Sequence, residues 1–119
     1  VIRFFLQKTW GSRQIDNGLW AQAIRTSRID GAEHAPLHFI SGYLFSNDID
    51  NIYDQLRLPI WMTHGTRGDF TDYRKKSRLK THANWRVSVF STGALPHFEM
   101  LERFCDEYDR FLRDSGNAI

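Results

Sequence analysis

Hydrophobic and polar residues follow one pattern in the first half of this chain and another in the second. Up to about residue 57, apolar positions recur every three or four residues, the spacing of helices with one buried face. Residues 2–9 predict one or two apolar helical turns. Ile15-Asp16-Asn17 opens a second helix, with Leu19, Trp20, Ala23, Ile24 and Ser27 along one face, ending near Gly31. Pro36 begins a short segment carrying Leu37, Phe39 and Ile40 that breaks at Gly42. Ser46-Asn47-Asp48 then predicts the cap of a helix with Ile49, Ile52, Tyr53 and Leu56 at helical spacing.

From residue 58 the pattern changes. Residues 58–64 form a nearly continuous apolar run, as in a strand covered on both faces, with Pro59 near its start where a missing N–H is tolerable. Residues 71–82 read as a basic helix and residues 85–90 as a second strand. Residues 97–114 read as a terminal helix with Phe98, Leu101, Phe104, Cys105, Tyr108, Phe111 and Leu112 on one stripe. Strand, helix, strand, helix implies a parallel crossover and an α/β fold. Two parallel strands do not make a sheet that stands alone, because both faces and both edges need cover. The expectation is a chain that leans on a partner, on a copy of itself, or on the remainder of a longer protein. The chain opens on Val1 rather than Met, which points the same way.

Composition narrows the class. The 119 residues amount to one domain or less, and 41% hydrophobic with 25% charged residues is ordinary for a soluble globular protein. Aromatics reach 14%, with Trp10, Trp20, Trp61 and Trp85 spread along the chain, which favours burial over disorder. A net charge of +2 gives no support to a nucleic-acid partner. The one dense basic run, Arg74-Lys75-Lys76-Ser77-Arg78-Leu79-Lys80, has only Tyr73 as a flanking aromatic and reads as a solvated helix face. Cys105 is the single cysteine, so neither an intrachain disulfide nor a cysteine-built zinc site is available. A reducing, cytoplasmic setting is the expectation. No apolar run reaches the length of a membrane span, and no signal peptide is legible in Val1-Ile2-Arg3-Phe4-Phe5-Leu6.

Several residues could carry chemistry. His97 follows the second strand at the mouth of a helix, where an enzyme places a general base; a residue that only caps or packs there is the alternative. Asp69 closes the turn Arg67-Gly68-Asp69, and a turn or a helix cap accounts for it equally. His64 stands at the end of the first strand, where parallel sheets bind ligands, although a hydrogen-bonded strand end is the commoner fate. Trp61 on that strand and Phe70 beside Asp69 are the accompanying binding candidates. His34 and His38 have a zinc-like spacing, but no Glu in the metalloprotease arrangement lies between them and Pro36 intervenes, so no metal is expected. No phosphate-binding glycine loop is present, and no cofactor is expected. The aromatics of the first half, Phe4, Phe5, Trp10, Trp20, Phe39, Tyr43 and Phe45, suit an apolar substrate pocket, a helix–helix core or an oligomer interface.

The run Leu58-Pro59-Ile60-Trp61-Met62-Thr63-His64-Gly65, the loop holding Asp69 and the terminal signature Pro96-His97-Phe98-Glu99 together resemble the carboxyl-terminal part of the α/β-hydrolase superfamily. The likeness covers roughly residues 48–114, and residues 1–47 look like the helical cap that many members insert. The resemblance implies two segments, a cap-like 1–47 and a hydrolase-like 48–119. It implies Asp69 as triad acid, with Asp72 as a second candidate because Asp69 falls four residues after Gly65 where three is common. It implies His97 as triad base and a small apolar ester-like substrate. The nucleophile elbow Gly-x-Ser-x-Gly is missing; Ser41-Gly42 and Ser91-Thr92-Gly93 lack its flanking pair. The serine and oxyanion hole would come from the missing amino-terminal hydrolase portion. The alternative is a self-associating interaction module, a homo-oligomer derived from a truncated hydrolase.

Overall fold

The computed structural model describes residues 1–43, 45–68 and 81–116. Helix α1 spans Ile2–Trp10 and stops at Gly11, whose left-handed backbone (φ 69°) lets its N–H return to the Gln7 carbonyl. Helix α2, Asn17–Thr26, starts where the Asp16 carboxylate accepts the Leu19 N–H at 2.8 Å. It ends five residues before Gly31. The hydroxyls of Thr26 and Ser27 turn back onto the carbonyls of Gln22, Ala23 and Ile24, competing with helix continuation. Helix α3, His34–Ile40, holds Pro36 in its first turn, where no N–H is needed. Helix α4, Ile49–Gln55, follows the anticipated Ser46-Asn47-Asp48 turn, but Asp48 makes no backbone cap bond. Its carboxylate instead takes the Asn51 side-chain amide, and the Ser46 hydroxyl accepts the Asp48 N–H.

The strands β1 (Ile60–Gly65) and β2 (Trp85–Phe90) pair in parallel, in register from Ile60 opposite Trp85 to Gly65 opposite Phe90. The fold is thus mixed α/β, with a parallel pair as the crossover pattern requires. β1 begins at Ile60 rather than Leu58. The Asn84 amide donates to the carbonyls of Leu56 (2.8 Å) and Leu58 (2.9 Å), tying this segment down before pairing starts, and Pro59 has no N–H to offer a ladder. The expected helix over 71–82 falls largely outside the described residues; Thr81 and His82 lie in a turn, with the His82 ring 3.3 Å from the Asp54 carboxylate.

Alternation along the strands separates two faces. Trp61, Ser88 and Phe90 face the terminal helix; Met62, Val87 and Val89 face away. The terminal segment is two helices, not one: α5 (Pro96–Glu99) and α6 (Leu101–Gly116), divided at Met100, whose backbone (φ −134°, ψ 57°) leaves the helical region. The apolar stripe ran across the division because its two ends have different targets. Phe98 meets the Trp10 ring at 5.8 Å, while Phe104, Tyr108 and Phe111 gather around Trp61 at 5.0, 5.7 and 6.1 Å. Phe90 is fully buried beneath α6, with the Arg103 guanidinium 4.6 Å above its ring. The far end of α6 is tied to β2 by Arg86 and Asp114 at 2.9 Å.

This is a thin core. Phe90 is the only large apolar side chain buried outright among the described residues, and β1 is only partly covered along Ile60, Trp61 and Met62. On the face away from α6, His64 is buried, Met62 and Val87 are half-buried, and Val89 is exposed near the end of β2. The accessible surface is 9126 Å², against about 6,700 Å² for a compact monomer of this mass.

Candidate functional site

The carboxyl ends of both strands meet the end of α1 in a seam of glycines. A Cβ on Gly65 would lie 1.9 Å from the Gly93 carbonyl oxygen. One on Gly93 would lie 2.5 Å from the Trp10 carbonyl oxygen, and one on Gly68 would lie 2.5 Å from the Gly11 Cα. Three backbone segments approach closer here than any side chain permits. They are stitched by main-chain hydrogen bonds: Thr66 and Arg67 N–H to the Thr92 carbonyl at 3.0 and 2.9 Å, and Ala94 N–H to the Thr9 carbonyl at 2.8 Å.

Arg67 and Glu99 close the seam. The Glu99 carboxylate accepts the Gly93 N–H at 2.7 Å and pairs with the Arg67 guanidinium. Arg67 also donates to the Ser91 carbonyl at 3.2 Å and the Trp10 carbonyl at 3.3 Å. One arginine thus touches all three segments, and its carboxylate partner is nearly buried. Sequence reasoning did not single out either residue. The signal available was a Glu in the first turn after a glycine-bearing loop, facing an Arg in the other glycine-bearing loop.

His64 lies in β1, one residue before its end at Gly65. It is buried, and its Nδ1 is 2.8 Å from the Gly65 carbonyl. A carbonyl only accepts, so Nδ1 is the donor in this contact. His97 is the second residue of α5 and exposed, with its ring edge-on to Phe104 at 5.8 Å. Two imidazoles therefore stand at the carboxyl end of the sheet, one buried and one open to solvent. Trp61 packs under α6, and its indole N–H donates to Ser88 Oγ at 3.0 Å. Asp69, Phe70 and Asp72 lie outside the described residues, as does the basic run 74–80.

Elsewhere, a cleft of about 570 Å³ lined by Leu58, Pro59, Asn84, Trp85 and Phe111 opens at the amino ends of the strands, away from both histidines. His34 and His38 are exposed on α3, and no group of three or more metal-binding side chains occurs among the described residues. No described helix is long and apolar enough to cross a membrane. Comparison with protein-family models, with curated proteins and with solved structures found no match to this chain.

Proposed function

We propose that this chain is one part of a larger parallel α/β assembly, and that it acts in hydrolysis of ester or other acyl substrates by a serine mechanism. His97 serves as general base toward a serine supplied by the rest of the assembly, then as acid toward the leaving group. Asp69, or Asp72, orients His97 and balances its positive charge. An acyl-enzyme forms on the serine and is released by water. The chain alone is catalytically silent. The observation that carries this reading is the position of His97: an exposed imidazole just beyond the carboxyl end of a parallel strand, on the short helix α5 whose Glu99 is held by Arg67.

A second reading rests on the half-covered two-stranded sheet and the apolar side chains exposed around it. A second copy of the chain laid against the half-exposed sheet and the exposed apolar side chains Leu37, Phe39, Ile40 and Val89 would cover them without any chemistry. The two readings separate in one experiment on the assembly as purified. Labelling with a fluorophosphonate, which reacts with activated serines, should mark a polypeptide other than this one. His97→Ala should abolish the labelling, while exposed Arg25→Ala should leave it intact. An assembly that contains only this chain and takes up no label would discard the hydrolase reading in favour of self-association.

A further inference from the structure

Between α1 and α2 lies a second cleft, of about 500 Å³, lined by Arg3, Arg13, Gln14, Ile15, Asn17 and Trp20. It shares no residue with the seam at the strand ends. Arg3 and Arg13 form no ion pair with any described residue. The nearest carboxylate in sequence, Asp16, is engaged by the Leu19 N–H at the start of α2. Among the described residues, the lining therefore holds two guanidiniums and no carboxylate, beside two side-chain amides and one indole.

We propose that this cleft binds a phosphate monoester carrying a flat ring, of the size of a nucleoside monophosphate. Guanidinium forks match phosphate oxygens in pairs, and a monoester carries about −1.5 to −2 charges near pH 7, which two arginines neutralise. A carboxylate would leave one of them uncompensated. Trp20 is the one aromatic in the lining and offers a face for ring stacking, worth roughly 1–3 kcal/mol for a nucleobase. Gln14 and Asn17 supply both donors and acceptors for the polar edge of that ring. The volume falls within the roughly 300–1,000 Å³ usual for small-molecule sites.

The test is titration calorimetry on the purified protein with AMP and with phenyl phosphate, beside adenosine as the ring without phosphate. Arg3→Ala and Arg13→Ala remove exposed side chains and should preserve the fold, which circular dichroism verifies. Arg25→Ala on α2 is the control. Saturable binding of at least one phosphate probe is expected, at least tenfold weaker in each cleft variant, unchanged in the control, and at least tenfold weaker for adenosine than for AMP. Failure of both phosphate probes to saturate at millimolar concentration would overturn the proposal. So would unaltered affinity in both cleft variants, or adenosine binding as tightly as AMP.

Discussion

Trp61 and Trp85 lie on adjacent strands, yet their indole N–H groups meet opposite fates. That of Trp61 donates to Ser88 Oγ, while that of Trp85 is buried with no hydrogen-bond partner among the described residues. Replacing each by Phe keeps an aromatic ring and removes the N–H. Trp61→Phe should cost about 1–3 kcal/mol, because it removes a part-buried hydrogen bond to Ser88 Oγ and thins the stack with Tyr108 and Phe111. Trp85→Phe should cost distinctly less, since the group it removes is already unsatisfied. Urea unfolding of the two variants checks the order, and equal losses would contradict it. Glu107 completes the same polar chain between sheet and helix. Burial by itself would raise its carboxyl, but hydrogen bonds from Ser88 and Arg103, with the charges of Arg103 and Arg110, outweigh that and hold it below the usual range. A folded value below the unfolded one means stability that is present above the unfolded value, about 4.3, and lost as the pH falls through the folded value. Glu107→Gln should therefore flatten the acid side of the stability profile between pH 5 and the acid unfolding limit, as measured by thermal melts across that span; a profile as steep as in the parent would remove Glu107 from the account.

Among the elements, the glycine seam decides where the strands can end. Gly65→Ala places a Cβ against the backbone of Thr92 and Gly93, which no rotamer change can relieve. It should destabilise by about 3 kcal/mol or more. Gly116→Ala, at the open end of α6 with nothing within 4 Å, should change stability little. The contrast is read from their denaturation midpoints, and a mild Gly65→Ala would mean that the strand ends are not joined as described. These elements were unevenly legible in the sequence. β2 was read at its observed bounds because Asn84 and Ser91 bracket an unbroken strand-forming run. β1 was read two residues early because the tie from Asn84 to Leu56 and Leu58 is long-range. The division at Met100 was missed for a similar reason. Glu99 is held toward Gly93 and Arg67 while α6 is held on Trp61, and periodicity cannot register two anchors pulling one helix apart.

For the whole molecule, the position of His97 beyond the last strand was legible, because a short strand followed by Pro96 at a helix start is a local signal. The Arg67–Glu99 clasp was not, since its partners are separated by 32 residues and meet only once the sheet forms. The chain's radius of gyration is 16.8 Å, against about 13.5 Å for a compact domain of this length. Leu37, Ile40, Tyr43 and Phe45 are exposed along the first half, and Val89 on β2. With Phe90 the one large apolar side chain buried outright among the described residues, this exposed surface is what the proposed larger assembly would cover. The most direct test is the native mass of the assembly in which the full chain purifies, measured by native mass spectrometry at micromolar concentration. A mass well above 14.0 kDa, from a second polypeptide or a second copy, is the predicted result. A monomer of 14.0 kDa that unfolds in a single cooperative transition would contradict the account.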